Sequence, residues 1–345
     1  MTENSAGGVA LCSNSTESLP ASLAKLVETI EAEQSLTPSK TKKLLQESDV
    51  TAEDLAPWAE FDHSAADSYG RRMVWDGGSF ELMVMSWVDG DMAAIHDHGY
   101  TQWGAVKLFG PAEHAIFRVA DGKLVTTERR VFKDGDVLSV SHDMIHQMGN
   151  IGQAPYLTLH LYGCYERDCD VTGDARLYEL DEGKIQRTSG GVFFGLPESQ
   201  VDRRESSPVA DFPTALRHKV ELLKRLVHST GAEAAGSLQD DRQRRLAAEL
   251  VSADTYRRAA SEIEAMEQAR PAIRRRYLDI LGQELTAAAR IQRRLHLAGL
   301  FPHALSERLG DVLAIQDPAE RLDAHCQAVD EVLGVLMRPQ AVVAA

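Results

Sequence analysis

Between residues 58 and 200 the chain breaks into short runs rich in Val, Leu, Phe and Tyr, separated by glycine-bearing turns: Asp76-Gly77-Gly78, Asp89-Gly90-Asp91, Asp121-Gly122 and Asp134-Gly135-Asp136. Runs of about five to eight β-favouring residues between such turns indicate antiparallel strands, because a tight turn returns the chain beside itself. A sandwich or small barrel is the architecture that buries such strands. A barrel of this size has an interior just wide enough for a metal and a small ligand.

The flanks carry a different period. Leu23, Leu26, Val27 and Ile30 fall at i, i+3, i+4, i+7, a one-sided helical stripe. Thr37-Pro38 has the form of an N-cap followed by first-turn proline, and Thr51 with Asp54 that of a capping box. Residues 1–18 read as a disordered N-terminus, 19–200 as the β-rich domain and 201–213, within a largely polar stretch, as a linker. From 214 to 340 the pattern is helical, with Val220, Leu223, Leu226 and Val227 as one stripe, breaks at Gly231 and Gly236, and helix starts near Pro271 and Pro302. The expectation is an α+β chain: N-terminal helices, a β-barrel, then a C-terminal α-helical bundle. That bundle would pack on the barrel or on a second copy, giving a homo-oligomer.

Charge narrows the partners. The net −15 lies wholly in residues 1–209, with 18 basic and 33 acidic residues, whereas 210–345 holds 19 of each. An acidic β-domain has no footprint for nucleic-acid phosphates. The arginine runs at 242–245 and 274–276 lie among acids and read as solvated, salt-bridged faces. No apolar run is long enough to span a membrane, and the N-terminus lacks the basic start and apolar core of a secretory signal. Four cysteines (Cys12, Cys164, Cys169, Cys326) make no disulfide scaffold, so a cytoplasmic location is expected.

The candidate chemistry begins at His96-Asp97-His98. On an extended segment alternate side chains share a face, so both histidines would aim into the barrel and Asp97 away. A third ligand would come from the region after Gly135, where His146 and His142 compete. Their i,i+4 spacing would suit a helix, but no Glu follows His142 as a zinc-protease motif requires, and Val137–Val140 favours a strand, which prefers His146. His63 and His114 have no partner pattern. A di-iron site in the helical segment is excluded, since no glutamate after residue 210 has a histidine three positions later.

These residues resemble a known family. Gly90-x5-His96-x-His98, Lys107-x-x-Gly110 and His146-x-x-x-Asn150 are similar to the two cupin motifs of cysteine dioxygenases. Thr158-Leu-His160-Leu-Tyr162, with Cys169 beyond, resembles that family's Ser-x-His-x-Tyr segment. Trp58 to Asp62 and Tyr69-Gly-Arg71-Arg72-Met-Val74 resemble the approach to its substrate-binding arginine, which maps onto Arg71, with Arg72 as the adjacent rival. The likeness covers about residues 20–185. It implies a cupin jelly-roll barrel holding Fe(II) on His96, His98 and His146, and oxidation of a small thiol by O2 to a sulfinate. It also implies that Tyr162, His160 and Thr158 act at the reacting atoms, that Arg71 binds a substrate carboxylate, and that Gln102 and Trp103 line the pocket. Where vertebrate-type members have a cysteine cross-linked to the tyrosine, this chain has Trp103, so no cross-link is expected. Two other function classes remain open: a cupin iron oxygenase for a non-thiol substrate, and a non-catalytic metal-cupin sensor with a helical interaction domain.

Overall fold

The structure, a computed structural model, describes residues 18–64, 67–166, 170–194, 196–229, 238, 240–250, 252–266, 269–297, 311–312, 314–317, 320–325 and 327. Residues 1–17, Cys12, Cys169, Gly231, Gly236, Pro302 and Cys326 lie outside them.

Three short helices open the described chain. Helix α1 (Ala21–Ala32) buries Leu23, Leu26, Val27 and Ile30, the stripe read from the sequence. Thr37 caps α2 (Pro38–Glu47) by accepting from the Lys40 amide, with proline in the first turn. Helix α3 (Ala52–Leu55) starts with a complete capping box, in which Thr51 and Asp54 satisfy each other's amides. Their apolar faces share one core with Trp75, Leu82, Trp103, Leu159 and Leu161 of the sheet beneath.

Twelve strands follow: β1 Gly70–Asp76, β2 Phe80–Trp87, β3 Trp103–Leu108, β4 Ala112–Ala120, β5 Lys123–Phe132, β6 Val137–Ser141, β7 Ile145–Gly149, β8 Tyr156–Gly163, β9 Ala175–Glu179, β10 Lys184–Thr188, β11 Arg203–Ser206 and β12 Val209–Ala210. One sheet has the order β1-β2-β8-β3-β6; a second has β12-β5-β4-β7 and a third β11-β10-β9. The segment from Met92 to His98 joins the last two, bridging to Gly149 and His146 of β7 and, from His96, to Leu177 of β9. Met83, Met85 and Val106 of the first sheet pack with Ala112 and Met148 of the second and with Ala93 of the bridging segment, so the interior lies between the layers. Gly135, at φ +82°, takes the left-handed conformation that the β5–β6 turn needs.

The stretch 201–213 is more ordered than its polar composition implies. Residues Arg203–Ser206 pair antiparallel with β10, Val209–Ala210 pair parallel with β5, and helix α4 (Phe212–Ser229) starts at once. Main-chain pairing needs no apolar side chains, which is why composition alone suggests a linker. Helices α5 (Asp241–Leu250), α6 (Ala253–Ala265) and α7 (Pro271–Leu297) complete the described helical region. Leu216, Val220, Leu223, Leu246, Leu281 and Leu285 share a core with Met92, Ala94 and Leu177 of the barrel. Each such leucine contributes roughly 1.5–3 kcal/mol by leaving water.

A buried ion quartet ties the same surfaces together. Glu113 Oε1 of β4 accepts from Arg129 of β5 at 2.7 Å and from Arg217 of α4 at 2.6 Å. Glu284 of α7 meets Arg129 at 2.7 Å and Arg217 at 3.3 Å. Removing one partner would strand a buried charge, at a cost of about 3–5 kcal/mol.

Candidate metal centre

His96 and His146 face each other across an antiparallel bridge: the His96 amide donates to His146 O at 3.0 Å and the His146 amide returns to His96 O at 2.8 Å. Directly opposed residues project to one face, and His98, two residues on, shares it. The segment carrying His96 and His98 is extended and held by isolated bridges rather than lying within a long strand. The three imidazoles converge, each offering a nitrogen within 4.8 Å of the others. His142 stays outside, its Nδ1 3.2 Å from Thr101 O.

The cluster fits one ion. His96 Nε2 and His146 Nε2 are 3.0 Å apart. Two ligands at about 2.1 Å from one metal, at right angles, would be separated by about that distance. The ring nitrogens of His98 are buried and make no hydrogen bond of good geometry, a cost that a ligand bond would relieve at one of them. Burial holds all three imidazoles neutral: it pulls His96 down to about 4, and it lowers His98 and His146 well below the ordinary histidine range. His96 Nδ1 lies 2.8 Å from Ala94 O, which fixes its proton there and frees Nε2. Imidazole donors suit Fe(II), and three neutral ones leave its full charge and further positions for anionic ligands.

Beside the cluster runs a chain of polar groups on β8. Thr158, His160 and Tyr162 alternate onto one face, with Thr158 Oγ1 2.7 Å from His160 Nε2 and His160 Nδ1 2.7 Å from Tyr162 Oη. Trp87 Nε1 donates to Thr158 Oγ1 at 3.0 Å. An indole N–H can only donate, and the Thr158 oxygen that accepts it can still offer its own hydroxyl proton to His160 Nε2. In the tautomer where Thr158 donates to Nε2, His160 carries its proton on Nδ1 and donates to the tyrosine oxygen, leaving the phenol proton for the cavity that Tyr162 lines with His96 and His98. Burial keeps His160 neutral, near 3, and holds the phenol protonated by pushing it above its usual range.

Arg71 lines the same cavity, together with Tyr69, Met83, Met85 and Thr172. Its Nη2 donates to Thr172 Oγ1 at 3.3 Å, and Thr172 donates to Glu81 at 3.1 Å. Arg72, one residue on, turns to the outside and pairs with Glu60 at 2.7 Å.

Residues 10–170 match the family described as Cysteine dioxygenase type I. Human "Cysteine dioxygenase type 1" is 31% identical over 122 residues, covering 34% of this chain and 58% of the human protein. The protein of that name from Danio rerio is 24% identical over 160 residues, covering 44% and 78%. The chain therefore spans less than two thirds of the human relative's length. This chain carries a cysteine-dioxygenase-like cupin domain. Its helical region, from α4 onward, lies beyond the matched residues. A Klebsiella pneumoniae protein with a double-stranded beta-helix domain aligns at 16% identity over 35% of this chain and 94% of that one, with a TM-score of 0.26, too low to carry weight.

Within this cysteine-dioxygenase-like domain two expected pocket residues lie elsewhere. Trp103 starts β3 and turns to the outer face, over Gly163 and into the core under the N-terminal helices. Gln102 accepts from the Tyr165 amide at 2.6 Å. Thr101 lines the cavity instead. The residue facing Tyr162 across β3 is Gly104, whose added Cβ would sit 2.7 Å from the Tyr162 ring. A one-residue offset along a strand exchanges faces, which is why Gly104 and not Trp103 meets the tyrosine ring. Cys164, beyond Tyr162, is disulfide-bonded.

Two histidines without sequence signals gain partners. His63 Nε2 meets Asp91 at 3.0 Å, and Asp91 also pairs with Arg225 of α4. His114 Nε2 lies 2.8 Å from His146 Nδ1, directly behind the metal cluster. Another group of possible metal donors, Glu179, Asp181 and His218, joins the barrel to α4. Its acids are already neutralised by Arg242, 2.9 Å from Asp181 and 3.3 Å from Glu179, with Arg245 3.3 Å from Asp181. It is an ion-pair joint between layers. The arginine run at 242–245 thus partly faces acids of the barrel rather than only solvent. Among the described residues, no helix is long and apolar enough to cross a membrane.

Proposed function

We propose that this protein is an iron-dependent thiol dioxygenase that converts a small carboxylate-bearing thiol, cysteine or a 3-mercapto acid, to its sulfinate with O2. The observation that carries the reading is one cavity lined by the three-histidine cluster, the Arg71 guanidinium and the Tyr162 phenol. Fe(II) held by His96, His98 and His146 would supply adjacent positions for the thiolate and O2, removing the cost of a three-body encounter. The reaction balances without a co-reductant: R–SH and O2 give R–SO2H, with sulfur supplying all four electrons.

The protein's own groups then have separate tasks. Arg71 would receive the carboxylate on a rigid, permanently charged fork. Tyr162 would donate its free proton as a hydrogen bond to the oxygen or sulfur at the reacting end, and His160, set by Thr158 and Trp87, would keep that proton aimed. Tyr69, Met83 and Met85 would exclude water from the rest of the cavity. The test is oxygen uptake over a panel of thiols with product masses. Uptake matched by a sulfinate for cysteine or a 3-mercapto acid supports the reading; uptake with no thiol, or a product not oxidised at sulfur, refutes it.

A further inference from the structure

His146 can bind a metal through Nε2 only if that nitrogen is bare, and a neutral imidazole must then carry its proton on Nδ1. That Nδ1 does not face a backbone carbonyl or a carboxylate, the common partners behind a ligating histidine. It faces His114 Nε2 at 2.8 Å, with both rings buried. Two N–H groups cannot point at each other, so His114 Nε2 must be the acceptor and His114 must hold its own proton on Nδ1. We infer that His114 is a positioning residue: it fixes the tautomer and ring plane of His146 and so sets how tightly the iron is held.

The fold places this contact deliberately. His114 and Ile116 lie on one face of β4, and Ile116 pairs with His146 in the β4–β7 ladder. The ring of His114 is pinned from the far side by Phe132, at 5.8 Å between centroids and nearly edge-on. The next residue back, Glu113, is clamped by Arg129 and by Arg217 of α4. The strand that presents His114 is therefore held in place by the helical region. Nothing in the triad's spacing predicts this, because His114 belongs to a different strand and acts through His146 alone.

The inference rests on iron being bound by the triad, and the test separates the two claims. Full-length wild-type, His114→Gln and His114→Leu would be compared by Fe(II) affinity, using a competing chelator anaerobically, and by melting of the metal-free protein. Gln keeps an acceptor oxygen near the Nε2 position; Leu keeps bulk without one. Loss of such a partner weakens metal binding by about 10- to 100-fold. Expected is that weakening in His114→Leu, with His114→Gln within about threefold of wild type, and no correlation between affinity and melting temperature. If wild type binds no iron, the triad reading itself fails. If His114→Leu binds as tightly as wild type, or Gln and Leu weaken binding equally, the hydrogen bond has no positioning role and the inference is overturned.

Discussion

Replacing Arg71 with methionine separates substrate recognition from every other function of the site. Methionine keeps the length of the stem and removes the fork. In the structure the guanidinium is half-buried, anchored by Thr172 at 3.3 Å, and lines the cavity with the metal cluster. Losing a charge-assisted hydrogen bond there costs about 1.5–3 kcal/mol, a factor of roughly ten to a hundred in binding. Partial exposure puts the expectation at the lower end, since water screens the interaction. KM for cysteine should rise by about that factor with iron content unchanged. Cysteamine, which lacks the carboxylate, should be a poor wild-type substrate and should be nearly indifferent to the change. Arg71→Lys, which keeps the charge without the planar fork, should fall between. Arg72→Met should do nothing, because that side chain is turned outward against Glu60. Equal losses for cysteine and cysteamine, or an Arg72→Met that mimics Arg71→Met, would refute the assignment.

His146→Ala should lose iron and activity together while His142→Ala keeps both, as iron analysis of the purified variants would show; the reverse would exchange the third ligand. Tyr162→Phe should lower turnover at unchanged iron content, and a peptide map of wild type should show Tyr162 as an unmodified phenol, because Gly104 and not a cysteine faces its ring. A chain ending near Ser207 should aggregate on expression, since it would bare Met92, Ala94 and Leu177 and leave Glu113 and Arg129 without Arg217 and Glu284; a soluble, metal-retaining truncation would show that the helices are separable.

The sequence exposed what local periodicity and turn chemistry control. Leu23 to Ile30, the caps at Thr37 and Thr51, the glycine turns and the His-x-His pair are all short-range patterns, and each appears as read. The choice of His146 over His142 was also legible, because the run at 137–140, now β6, favoured strands over a helix in this region, and His146 lies on the next strand, β7. Long-range placement was not. Trp103 and Gly104 differ by one position, and which of them meets Tyr162 depends on the register of β3 against β8. The strands at 203–206 and 209–210 are held by main-chain pairing with β10 and β5; the first is wholly polar and the second only two residues long, so neither shows in a hydrophobic pattern. His114 and the Glu113–Arg129–Arg217–Glu284 quartet join residues up to 171 positions apart, where no spacing rule reaches. Thr172, which orients Arg71 from 101 residues away, belongs to the same class.

The proposed reaction delivers both atoms of O2 to one sulfur in a cavity built around His96, His98 and His146. A single turnover of the iron-loaded, full-length protein with cysteine under ¹⁸O₂, followed by mass spectrometry of the product, reads this directly. The expected product is a sulfinate carrying both labelled oxygens, with none from a His96→Ala variant. A product with one labelled atom, oxidation away from sulfur, or the same labelled sulfinate from His96→Ala would contradict it.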